Sequence, residues 1–163
     1  MDETTRMLEL LNASFPRLAT MDPLDGRAAA DERIRPATNL DDVAATDDGV
    51  VDAGTHGIPI RTYHPRERRP DAPTTVYAHG GGFLHGSIAG HDGFCRRWAR
   101  ATGATVVSVD YRLAPEAGPG AARDDVIAAA VRPRLRRVRP SRARGCRGCS
   151  APSGHARLDD PAS

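Results

Sequence analysis

His79-Gly80-Gly81-Gly82-Phe83 is the stretch of this chain whose residue types are best suited to chemistry. Three consecutive glycines remove every Cβ from a short piece of backbone, so its N–H groups can approach a ligand at contact distance and at φ/ψ values closed to other residues. A reaction that builds a transient oxyanion needs donors of this kind, set in advance where the charge will appear. Removing one such donor typically costs about 100- to 1,000-fold in rate. The run points to acyl transfer.

The elements around it fit that role. Thr74-Thr75-Val76-Tyr77-Ala78 is β-prone and leads directly into the glycines. Phe94, Cys95, Trp98 and Ala99 recur at helical spacing, and Gly103 stops that helix. Thr105-Val106-Val107-Ser108-Val109 is a near-continuous apolar strand of the kind buried on both faces of a sheet. Strand, helix, strand is a βαβ unit with a right-handed crossover, which predicts an α/β fold. Upstream, residues 3–15 read as a short amphipathic helix stopped by Pro16. A second helix starts at Asp22-Pro23 and runs through Arg27–Ile34 until Pro36. Residues 43–63 read as a β-hairpin with Asp47-Asp48-Gly49 as a turn signal, and the proline-rich, charged stretch 65–73 as a surface loop.

Two motifs in this order resemble the hormone-sensitive-lipase-like branch of the α/β-hydrolases, which are carboxylesterases and lipases. One is His79-Gly80-Gly81-Gly82-Phe83 with Gly86-Ser87; the other is Asp110-Tyr111-Arg112-Leu113-Ala114-Pro115-Glu116, at the end of the next strand. The likeness extends from about Met7 to Asp125. It implies the N-terminal portion of an α/β-hydrolase fold, a mostly parallel sheet with flanking helices. Residues 1–40 would supply the cap helices and 41–131 a partial core. The resemblance implies hydrolysis of small-molecule esters by a serine nucleophile, with Gly81 and Gly82 as oxyanion donors, Gly80 shaping the turn and His79 holding the loop. It implies no cofactor and no metal. Asp110, Tyr111 and Glu116 belong to a structural motif of that family rather than to its catalytic set.

The family's nucleophile sits in G-x-S-x-G, followed in the chain by Asp or Glu and then His. That pentapeptide does not occur in this sequence. Its nearest approach is Gly148-Cys149-Ser150-Ala151-Pro152, which makes Ser150 a weak candidate and leaves no identifiable nucleophile. His155 follows Ser150 too soon to come from a separate loop. Ser87 and Ser108 lack an elbow. His85 and His91 flank the glycines without a ligand cluster and read as loop residues. Cys146-Arg147-Gly148-Cys149 has neither a strand–helix context nor a second ligand pair for a redox or zinc site.

After Val131 the pattern changes. Arg132 to Arg157 contains nine arginines and no carboxylate, with prolines that break a helix or a central strand. Residues 132–163 read as a disordered basic tail, consistent with out-of-frame translation of DNA rich in G and C. The tail has no aromatic residue to stack on bases, so nucleic-acid binding is not expected. There is no lysine, the net charge is +2, and the three cysteines give no disulfide framework. No apolar run approaches the roughly 20 residues that span a bilayer. Without a signal-like N-terminus, a cytoplasmic location is the expectation. Little esterase activity is expected of this polypeptide alone. The alternative is a non-catalytic product, either of a pseudogene or acting as a basic-tailed interaction protein.

Overall fold

A computed structural model of the protein describes residues 2–14, 20–131 and 135–137. Helix α1 covers Glu3–Ser14 and helix α2 covers Pro23–Asp31. Asp22 caps α2, its Oδ1 accepting the Leu24 N–H at 2.9 Å, and Pro23 takes the first helical position. The helix stops three residues earlier than its pattern predicts. Residues 31–34 tighten instead into short-range turns, Arg33 N–H to Ala30 O and Ile34 N–H to Asp31 O.

Strands β1 (Val43–Asp52) and β2 (Gly57–Pro65) form the expected antiparallel hairpin, but its turn lies elsewhere. Asp47, Asp48 and Gly49 sit inside β1, because Asp48 faces Arg61 across the ladder and takes a two-pronged ion pair from it at 2.6 and 2.9 Å. The chain reverses at 53–56, where Asp52 Oδ1 accepts the Gly54 N–H at 2.8 Å.

Strand β3 (Thr75–Ala78), helix α3 (Asp92–Thr102) and strand β4 (Val106–Val109) make the βαβ unit, with β3 and β4 parallel. Gly103 ends α3 in the left-handed region, φ +66°. Helix α4 (Ala121–Val131) follows. The sheet order is β3-β4-β2-β1-β5, where β5 is Leu135–Arg137, paired antiparallel with residues 49–51 of β1. Within the segment expected to lack structure, these three residues therefore form an edge strand, a position compatible with flanking prolines. Residues 132–134 and 138–163, with Cys146, Cys149, Ser150 and His155, lie outside the described residues.

The two faces of the sheet carry separate cores. Val43, Tyr63 and Val106 pack with Cys95 and Ala99 of α3. Val51, Ile58, Ile60, Val107 and Val109 pack with Tyr111 and with Ala122 of α4. Alternation along β4 sends Val106 to the first face and Val107 and Val109 to the second. Helices α3 and α4 thus cover opposite faces. Among the described residues no helix is long and apolar enough to cross a membrane.

Candidate active site

The glycine run leaves the C-terminal end of β3, where open α/β sheets place their ligands. Three successive residues take positive φ: Gly81 at +136°, Gly82 at +60° and Phe83 at +63°. Glycine at 81 is required by space as well as by backbone. A Cβ there would lie 1.8 Å from the carbonyl oxygen of His85, because Leu84 and His85 both donate their N–H groups back to Gly81 O. Gly86, at φ +105°, is equally constrained, since its Cβ would meet Gly80 O and the His79 ring at 2.4 Å. Among the described residues no hydrogen bond takes the N–H of Gly81 or of Gly82. These two donors stay unspent.

His79 follows β3 directly, at the base of the loop. Its ring is buried, stacks on Tyr111 at 4.2 Å between centroids, and lies 5.6 Å from the His91 ring. Tyr111 donates its hydroxyl to the His79 carbonyl at 2.6 Å, so the second motif props up the first. Burial pushes the His79 imidazole below its usual value, which favours the uncharged ring. Its Nε2 has no hydrogen-bond partner among the described residues, and Asp110 Oδ1 lies 4.0 Å away. His85, in the loop, and His91, which ends a short 3₁₀ turn (Ala89–His91) and precedes α3, are half-buried, and His91 Nδ1 lies 3.3 Å from the Ser87 carbonyl. Ser87 Oγ accepts the Gly90 N–H, and Ser108 is fully buried in β4. Among the described residues, no group of three or more His, Cys, Asp or Glu is placed to hold a metal.

Asp110–Glu116 runs beside the glycine loop as a second wall. Ala114 N–H donates to Phe83 O at 2.8 Å, and the Ala114–Pro115 peptide bond is cis. Arg112 anchors this wall to α4. Its guanidinium and backbone N–H bind the carboxylate of Asp125, which is buried and also bonded to His56 Nε2 at 2.8 Å. Burial alone would raise the Asp125 carboxyl, but the Arg112 and His56 hydrogen bonds prevail and hold it below the usual range. A cavity of about 630 Å³ opens between the two walls, lined mainly by apolar atoms of Gly82, Phe83, Ala114, Ala117 and Ala122, with Arg112 on its lining.

The loop thus carries two backbone N–H groups without a hydrogen-bond partner among the described residues, and Gly82 lies on the lining of an apolar cavity. Sequence patterns singled out the glycines but missed Arg27, His56 and Asp125, whose hydrogen bonds secure the two walls. For Asp125 a signal existed, since Pro119-Gly120 followed by an Ala-rich run marks a helix start.

A family profile described as alpha/beta hydrolase fold matches residues 75–137. The carboxylesterase NlhH of Mycobacterium tuberculosis is 37% identical over 132 residues, covering 76% of this chain and 39% of that protein. This chain belongs to the α/β-hydrolase family. Esterase LipI of the same organism is 40% identical over 109 residues, covering 64% of this chain and 34% of LipI. Among solved structures, an ester hydrolase from the metagenome of Lake Arreo superposes with a TM-score of 0.66 at 37% identity, over 79% of this chain and 43% of that one. A hyperthermophilic esterase from Pyrobaculum calidifontis does so at 0.62 and 35% identity, over 80% of this chain and 42% of its own. The α/β-hydrolase chain described here spans about two fifths of the length of these relatives.

Proposed function

We propose that this polypeptide carries the oxyanion-stabilising half of a carboxylic-ester hydrolase site and is not catalytic by itself. One observation carries the reading. Gly81 and Gly82 hold their N–H groups unspent at the C-terminal end of a parallel strand, in a backbone conformation that other residues rarely adopt. Donors fixed in this way act on the developing charge of a tetrahedral intermediate without reorganising during the reaction. The apolar cavity beside them suits the hydrocarbon portion of a small ester. The esterase relatives support the same substrate class.

The serine, the acid and the histidine of such a site are not recognisable in this sequence. Without a nucleophile no tetrahedral intermediate forms for the donors to stabilise. Complementation tests the reading. The 163-residue chain is mixed with a polypeptide comprising the part of NlhH that it does not match, and hydrolysis of p-nitrophenyl butyrate is followed. The mixture is expected to turn over where neither piece does, and Gly81→Ala, whose Cβ cannot fit unless the loop and its N–H move, should lower the restored rate by about 100-fold or more, as loss of the donor would. Absence of restored turnover, or restored turnover indifferent to Gly81→Ala, overturns the proposal.

A further inference from the structure

Helix α2 reaches the glycine loop through one side chain. Arg27 donates Nε to Leu84 O at 2.8 Å, Nη1 to Glu116 Oε1 at 2.6 Å, and Nη2 both to Glu116 Oε2 at 2.8 Å and to Ala114 O at 2.5 Å. A planar fork with five donors matches this set of acceptors, and an ammonium does not. Gly26 is the one buried residue of α2, so the helix docks with little apolar surface and mainly through this guanidinium.

The acceptors are placed with consequence. Phe83 is a non-glycine residue at φ +63°, and the residue is 64% exposed, so burial does not hold it there. A strained residue persists only where its surroundings over-determine it. The restraint here is a closed circuit of hydrogen bonds. Phe83 O accepts from Ala114 N–H, Ala114 O accepts from Arg27, and Arg27 also binds the carbonyl of Leu84, the residue after Phe83. Arg27 closes the ring, and Glu116 holds Arg27 in register.

We propose that Arg27 is a positioning residue for the oxyanion loop, so that docking of the α2 cap and formation of the loop are a single coupled event. Arg27 touches no reacting atom. It acts through the carbonyls of Leu84 and Ala114 on the turn that aims Gly81 and Gly82. A cap that lifts withdraws the guanidinium, frees both carbonyls and lets the loop relax. Readiness for chemistry is then tied to closure of the helix that borders it. This inference rests on the oxyanion reading above.

Amide hydrogen exchange on the ¹⁵N-labelled chain tests it, comparing wild type, R27A and R27K. The reporters are the N–H groups of Leu84, His85 and Ala114, which are hydrogen-bonded inside the circuit or its turn. The β1–β2 ladder serves as the internal control. R27A is expected to accelerate loop exchange about tenfold, the loss of charge-assisted hydrogen bonds, and to shift the Gly81 and Gly82 amide resonances, with ladder exchange unchanged. R27K, which keeps the charge but not the fork, should leave the loop fast. Wild-type exchange in the loop of R27A, with acceleration confined to α2, means that Arg27 only staples the cap and overturns the proposal. Where R27A loosens the whole sheet, R27K decides. Acceleration in the loop alone supports the coupling, and equal acceleration in loop and ladder overturns it.

In the complementation assay R27A should lower kcat about tenfold and leave KM nearly unchanged. The two readings fail separately. Uncoupled exchange with Gly81→Ala still damaging turnover removes only the role of Arg27. Coupled exchange with Gly81→Ala harmless removes only the oxyanion function.

Discussion

Glu116 is more than half exposed, yet Arg27 holds its carboxyl at about 2, well below the ordinary 4.5, chiefly through their hydrogen bond. The sign of the consequence follows from the direction of that shift. On acidification the unfolded chain takes up this proton first, so the contribution of the pair to stability is complete above about pH 4.5 and is lost as pH falls from there through about 2. A ¹³C NMR titration should place the Glu116 midpoint near 2 in wild type and return it toward 4.5 in R27A. A wild-type midpoint near 4.5 would show that the clamp does not form. At this scale the sequence was legible where residue type alone dictates geometry. Consecutive glycines mark backbone free to take positive φ, as Gly81 and Gly82 do. Arg27 gave no such signal, because it meets Leu84 and Glu116 across 57 and 89 residues of chain. The left-handed Phe83 was equally hidden, since its conformation is imposed by neighbours and not by its own preference.

Among elements, α4 matters through what it fastens. Asp125 is its deeply buried carboxylate, bonded to Arg112 in the second wall of the site and to His56 in the β1–β2 turn. Asp125→Ala strands both partners and leaves the Arg112 amide without its acceptor. Leaving a half-buried amide without its acceptor costs about 1–3 kcal/mol, while the Arg112 guanidinium, 45% exposed, regains water and adds little. Urea unfolding should show a loss of that size, whereas a change below about 1 kcal/mol would mean that the carboxylate is dispensable. The βαβ unit was legible because its apolar strand and helical face are local patterns. The hairpin turn was misplaced for the opposite reason. Asp47-Asp48-Gly49 has turn chemistry, but Arg61 captures Asp48 from the partner strand, and a cross-strand ion pair cannot be seen in a local window.

For the whole molecule, handedness defines what the glycine loop faces. Helices α3 and α4 cover opposite faces of the sheet, and a right-handed crossover from β4 through α4 leads to the outer side of β3. A strand there would end beside Gly81 and Gly82. In this chain Leu135–Arg137 pairs with β1 at the far edge instead, and among the described residues β3 has no neighbour on its outer side. We therefore propose an oxyanion loop that has no recognisable nucleophile in this sequence to serve. The most direct measurement is ester turnover by the purified 163-residue chain, with p-nitrophenyl butyrate as substrate and a fluorophosphonate probe for an activated serine. The account predicts hydrolysis at the buffer rate and no labelling. Saturable hydrolysis with stoichiometric labelling, both abolished by Ser150→Ala, would contradict it.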